Sequence, residues 1–343
     1  MSANNDLRDA EIRHQIMVSR LSSATLRKLR RLLDRADAEI VDTLIRRGGA
    51  TQVGYASARL SALLDTLREI NRDVHVELGK ELRSELRGIS RYELQAQEKM
   101  LREALLDRLK IKVPTTEMLD AVVNSRPFQG KLLRDWVSEL DQNKARRLRD
   151  AIRQGVVQGE SIEEIVRRVR GTEALRFKDG ILEIGKRGAE ALVRTAVSHT
   201  VTAARDALFD KNRAYISKEQ WVSTLDSRVC LTCGGLDGRL FDIGTGIKTP
   251  AHISCRCIRV PVLKSWDQLG LDDLPADVRM QFDGLATRPE SFQSWLRRQS
   301  NKVQDDALGP ARAKLFREGQ QIDSFTNRAG DALTLEQLRA RAA

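Results

Sequence analysis

All four cysteines of this 343-residue chain fall within 28 consecutive positions, and one of only four histidines lies among them. They read Cys230-x-x-Cys233, then eighteen residues, then His252-x-x-Cys255-Arg256-Cys257. Two thiolates two residues apart on a turn can grip one ion, and a second pair from a distant turn completes a tetrahedron. The softness and geometry of this donor set favour zinc. The expected ligands are Cys230, Cys233, His252 and Cys255. Cys257 competes for the fourth position, because Cys255 and Cys257 point to the same face of an extended strand. Two other outcomes stay open for the cysteines: disulfides in a particle that leaves the reducing cytoplasm, or free buried thiols. Four protein donors close the coordination shell, whereas a catalytic zinc keeps one position open beside a general base. Asp226 and Asp237 lie near in sequence but form no metallohydrolase pattern. A structural zinc is expected.

Other chemical signals are weaker. Gly180-Ile-Leu-Glu-Ile-Gly185-Lys186-Arg187 has the frame of a phosphate-binding loop, but Arg187 replaces the Ser or Thr that would hold magnesium. Its Asp179-Gly180 start before a short apolar run reads instead as a β-hairpin. A Ser-His-Asp or Cys-His mechanism would need a histidine beside a nucleophile; His199 is flanked by Ser198 and Thr200 within a helix, and no HExxH or paired-carboxylate signature is present. His199 is expected to be a packing histidine, or else a partner of the metal knob. No catalytic residue is expected and none that binds an organic cofactor; the chain reads as a non-enzyme.

The elements that must position the cysteines are mainly helical. Only 4% of residues are aromatic and 31% are charged, a balance that favours Leu- and Arg-rich helices over an all-β core. Leu60, Leu63, Leu67, Ile70 and Val74 recur at three- and four-residue steps, and Leu78, Leu82, Leu86 and Ile89 continue the stripe. This places a helical region over 1–118, a bundle core or a docking face, with breaks or weak points at glycines 48, 49, 54, 79 and 88. A turn at Arg126-Pro127-Phe128-Gln129-Gly130 precedes helices over 131–156 and 161–170, the second opened by a Ser161–Glu164 capping box. A long helix is expected from about Gly188 to Asn212. Residues 220–263 form a loop-rich knob with short strands at 220–224 and 258–262. A polar helical tail fills 264–343, with a capping box at Thr334-Leu335-Glu336-Gln337. The expected fold is thus mainly α with a small α+β zinc-knob region.

The formal charge of +11 favours a polyanionic partner through counterion release. The runs Arg27-Lys28-Leu29-Arg30-Arg31 and Arg167-Arg168-Val169-Arg170 read equally as solvated faces or phosphate contacts. No apolar stretch approaches the roughly 20 residues needed to cross a bilayer, and residues 1–15 lack a secretory pattern. A soluble protein made in a cytoplasm is expected.

Residues 119–263 resemble the phage Mu F-like minor head domain of the head morphogenesis family. The matching pieces are Arg126-Pro127-Phe128 with Gly130, Leu133 and Trp136; Gly159-Glu160-Ser161 through Ile165; Arg194-Thr195-Ala196; and Trp221 through Cys230-x-x-Cys233. Leu236-Asp237-Gly238 and Pro250-Ala251-His252-x-x-Cys255-Arg256 complete the knob. Ser294-Trp295-Leu296, Leu308 through Arg312 and Leu333 through Leu338 are similar to the extension that follows this domain in several phage head proteins. Ile253 after His252, and the extra Cys257, depart from the family pattern. The resemblance implies a minor capsid protein of the virion, portal-associated, active in head morphogenesis and in contact with packaged or ejected genomic DNA. It implies the portal protein, and the major capsid or scaffold protein, as partners, with host cytoplasm as the site of assembly. The competing functions are a zinc-stabilised DNA-binding protein and a Mu F-type effector.

Overall fold

Long proline-free runs of Leu, Arg, Glu and Ala, all strong helix formers, become the longest elements. The computed structural model describes residues 3–48, 57–107, 109–271, 273, 275, 291–327 and 331–342. Helix α1 spans Ala3–Gly48 and α2 spans Ser57–Ala104. Gly48 is the last described residue of α1, and α2 runs unbroken through Gly79 and Gly88; the breaks expected at Gly49 and Gly54 lie outside the described residues. Shorter helices follow: α3 (Thr116–Ser125), α4 (Leu133–Val157), α5 (Ile162–Arg170), α6 (Ile181–Lys211) and α7 (Leu231–Leu236). The described tail carries α8 (Phe292–Arg297), α9 (Asn301–Leu308), α10 (Pro310–Arg317) and α11 (Leu335–Ala342). Among the described residues the fold is mainly α, with one small antiparallel sheet.

The chain forms two compact units, each assembled from separated stretches. One comprises Ser19–Ile89 and Glu117–Thr200; the other comprises Met1–Val18, Ser90–Thr116 and Val201–Ala343.

The first unit is an all-helical bundle. Its core gathers Ile40 and Leu44 of α1, Leu63 and Leu67 of α2, Leu148 and Ile152 of α4, Ile165 and Val169 of α5, and Leu182 of α6. Each such leucine contributes roughly 2 kcal/mol by leaving water. The α2 stripe therefore serves as core rather than as an open docking face. The Phe128–Gly130 turn forms as expected, with Phe128 and Lys131 exchanging backbone hydrogen bonds and Gln129 and Gly130 at positive φ. The Ser161–Glu164 capping box forms reciprocally. His199 stacks on Phe128 with ring centroids 5.0 Å apart, the packing role expected of it.

The hairpin expected after Asp179-Gly180 is absent, and α6 begins at Ile181, about two turns before Gly188. The Asp179 carboxylate accepts from the Thr172 backbone N–H and hydroxyl and closes the loop between α5 and α6. A Cβ on Gly180 would fall 2.2 Å from the Arg170 carbonyl oxygen. The Asp-Gly pair thus serves loop closure before a helix, a use that shares its composition with a hairpin turn.

The second unit contains the sheet, ordered β2-β1-β3, with β1 at Ile216–Val222, β2 at Leu240–Asp242 and β3 at Ile258–Leu263. Both strands expected at 220–224 and 258–262 are present, β1 starting earlier at Ile216. Pro261 sits opposite Glu219 on β3, an edge strand, where a missing N–H is tolerated. Under the helices of this unit lies a buried charge network that hydropathy does not announce. Arg205 meets both Glu11 and Glu93; Gln97 donates to both glutamates; and His14 Nε2 lies 2.7 Å from Glu93.

Candidate metal site

Each cysteine is placed by a local rule. Cys230 caps α7, its Sγ accepting from the Cys233 backbone N–H at 3.4 Å. One helical turn then brings the Cys233 thiol beside Cys230. The second donor pair comes from a turn in which the Cys255 N–H donates to the His252 carbonyl at 3.1 Å, with Ser254 at φ 59°. Beyond it the chain is extended, so Cys255 and Cys257 both point inward while Arg256 turns outward to the Asp226 carboxylate.

The donors converge. His252 Nε2 lies 3.2 Å from Cys230 Sγ and 3.4 Å from Cys233 Sγ, and Cys233 Sγ lies 3.8 Å from Cys255 Sγ. The other ring nitrogen, Nδ1, is 2.9 Å from the Ile253 carbonyl oxygen. A carbonyl only accepts, so Nδ1 carries a proton and Nε2 is the ring atom turned toward the sulfurs, the orientation a metal-binding imidazole uses. Tetrahedral zinc bonds of about 2.3 Å to sulfur and 2.0 Å to nitrogen would set donors about 3.6–3.8 Å apart. The Cys233–Cys255 spacing fits that demand, and the two sulfur–nitrogen spacings are a few tenths of an ångström shorter. Two groups of three donors share Cys233: Cys230, Cys233 and His252 in one, Cys233, Cys255 and Cys257 in the other. The structure thus links all five candidate donors through Cys233, the expected set of Cys230, Cys233, His252 and Cys255 not forming one such group, and the cluster could hold a metal ion. The four cysteines are free of disulfides.

Donors packed this closely compete for protons. The hydrogen bond from Cys233 lowers Cys230 to about 4, with His252 adding to the effect against burial. Its hydrogen bond to Cys230, then that to Cys255, raises His252 to about 11. Cys233 is pushed far up by its hydrogen bonds to Cys230, Cys255 and Cys257. Cys257, although lowered by Cys233, is driven up to about 12 by Cys255 and by burial. Sulfurs this close cannot all ionise together; a dication at their centre would stabilise them as thiolates.

The surroundings are packed and committed. Trp221, fully buried, donates its indole N–H to Ser223 Oγ, which donates to the Cys233 carbonyl at 2.6 Å. Asp226 is held below the usual carboxylate range, chiefly by hydrogen bonding from Arg256. Asp237 accepts from the Ser223 N–H and from the Phe292 N–H, both at 2.8 Å. Both acidic side chains noted in the sequence therefore brace loops.

Sequence reading missed the tail's part in this site. Phe292, Leu296, Phe316, Ile322 and Phe325 share one core with Trp221, Cys233, Cys255 and Cys257. A Cβ on Gly234 would meet the Phe292 ring at 2.8 Å, and one on Gly235 the Thr326 hydroxyl at 2.8 Å. The adjacent Gly234-Gly235 pair after Cys233 was the available signal, since paired glycines in a helix mark a close approach.

Fold and site together define a helical protein with a loop module gathered around a Cys/His cluster. Residues 146–260 match the family described as Phage Mu protein F like protein. The chain therefore carries a Mu F-like domain, consistent with a head morphogenesis protein. The match covers about a third of the chain and every cluster residue, and does not extend to the Arg126–Trp136 segment or to the tail. Searches of curated proteins and of solved structures returned no match.

Proposed function

We propose that this protein is a minor capsid protein of a phage head, acting in head morphogenesis as a structural part rather than as an enzyme. The observation that carries the reading is the Mu F-like match, which encloses all five converging donors. In this reading Cys230, Cys233, His252 and Cys255 hold one structural zinc ion, with Cys257 beside them as the alternative fourth donor. Bound zinc would tie the α7 turn to the His252–Cys257 turn and so fix the surface that the loops present. The commitment of Asp226 and Asp237 to brace loops supports a structural role, because neither is left to act as a general base.

The same reading places the protein at the portal vertex, with the portal protein as its main partner, the major capsid or scaffold protein as others, and packaged or ejected DNA within reach. The surplus of eleven positive charges supports the DNA contact. Among the described residues, no helix is long and apolar enough to cross a membrane. Quantitative mass spectrometry of purified particles tests this directly. Presence in genome-filled heads, in proportion to portal subunits and far below the major capsid protein, is expected. Absence from particles and from assembly intermediates would reject the assignment.

A further inference from the structure

Part of the positive charge in the two most conspicuous basic runs is paired within the fold. Lys28 pairs with Glu81 and Glu85, Arg30 with Glu183 and Glu190, and Arg168 with Glu160. Arg170 lies 4.5 Å over the Phe177 ring. A further set of exposed arginines lines a groove of about 900 Å³ between α2 and α4.

The groove has two banks. Arg146, Arg149 and Arg153 stand on α4 at spacings of three and four residues, so they share one face over about 10 Å. Arg68 and Arg72, four residues apart, stand on α2. All five are exposed, while the floor includes the buried Leu67 and Leu148. The groove also carries Asp65, Glu69 and Asp141, leaving the arginines in excess. Asp141 is engaged by Asn71. Among the described residues, neither Arg68 nor Arg153 meets a carboxylate, and Arg146 bonds only to the Asn143 amide oxygen. Arg72 pairs with Asp73 and Arg149 with Asp150, which leaves Arg68, Arg146 and Arg153 on the two walls of the groove without carboxylate partners among the described residues, an arrangement that suits an extended string of phosphates better than a single acidic side chain.

We propose that this groove is a sequence-independent seat for the sugar–phosphate backbone of nucleic acid, with Arg68, Arg146 and Arg153 as its principal phosphate contacts. Its arginines line the two walls of a groove rather than one projecting helix, an arrangement suited to positioning a strand without reading bases. This inference rests on the DNA-contact part of the proposed function and gives it a place.

The test measures binding of the full-length chain to a labelled 30-base-pair duplex of arbitrary sequence by fluorescence anisotropy across a salt series. The groove variant combines Arg68→Gln, Arg146→Gln and Arg153→Gln. A charge-matched control combines Arg27→Gln, Arg31→Gln and Arg35→Gln on the exposed side of α1. The groove variant is expected to lose about tenfold or more in affinity and to flatten the log–log salt slope by about 2–3, close to 0.9 per phosphate contact. Its thermal midpoint should match the parent's, since all three side chains are exposed. The control should retain affinity within about twofold. Equal binding by parent and groove variant would overturn the groove while leaving DNA contact intact. Equal losses in variant and control would also overturn it, by assigning binding to net charge alone. No binding by the parent at low salt would reject the DNA-contact reading and the groove with it. Displacement of the duplex by polyglutamate at matched charge would assign the groove to an acidic protein segment and overturn the nucleic-acid proposal.

Discussion

The helical core around Leu67 and the aromatic core around Cys233 solve the same problem in opposite ways. The first is built from five helices whose apolar positions repeat every three or four residues, so each contact is locally encoded and then assembled. The second is built from a six-residue helix, loops and a tail, with Phe292, Phe316 and Phe325 closing over Trp221 and the cysteines. Short elements carry little local stability, and four or five inward thiol and imidazole groups add little apolar area. Spread leucines make one core self-sufficient. The other, rich in aromatic residues, also gathers polar donors, which in the proposed reading a bound cation would cross-link.

The largest effect that would break this contrast is expected from Cys233→Ser, because Cys233 belongs to both donor groups. It should release the metal and destabilise the knob by on the order of 5 kcal/mol. Hydrogen exchange should then accelerate across 220–263 and 292–325 while 60–89 stays protected; uniform loss would show that the two cores are one cooperative unit. Leu67→Ala probes the other side. It should lower stability by about 2–5 kcal/mol through the cavity it leaves, and metal content should not change.

The buried charges of the second unit sharpen the comparison through pH. Burial pushes Glu93 up, but Arg205 and His14 overcome it and hold the carboxyl at about 2, below its ordinary value of 4.5. A depressed folded value means that the Glu93 contribution is complete above about 4.5 and is lost as pH falls toward 2. Glu11 is raised, first by burial, so its ionised form opposes folding. Melting curves between pH 6 and 3 should therefore show an acid-sensitive limb that Glu93→Gln removes and Glu11→Gln preserves. If both variants behave alike, the asymmetry drawn between the two glutamates is wrong. The smallest effect belongs to Ser161→Ala, which should cost about 1 kcal/mol by freeing the α5 N-terminus, with metal binding untouched in calorimetry and metal analysis.

Legibility followed the same division. The α2 stripe, the Ser161 and Thr334 capping boxes and the strands at 220–224 and 258–262 were readable because their signals are periodic or span four residues. The cysteine and histidine spacing pointed to side chains that the structure brings close together, because such clustering is itself a short-range signal. Asp179-Gly180 misled because turn chemistry is shared between hairpins and helix-leading loops, and only tertiary contact with Arg170 and Thr172 separates them. The tail's closure over the cluster was hidden because Phe292 and Cys233 are distant in sequence. So was the Glu11–Glu93–Arg205 network, since nothing local distinguishes a buried charge on a long helix from a solvated one.

The account turns most directly on the metal. X-ray absorption at the zinc edge, with metal analysis of the purified full-length chain, measures both identity and ligands. One zinc per chain is expected, with a shell of sulfur at about 2.3 Å and nitrogen at about 2.0 Å in a three-to-one ratio. The imidazole signal should vanish in His252→Ala. A chain that folds to full stability with no bound metal, or with its cysteines paired as disulfides, would contradict it.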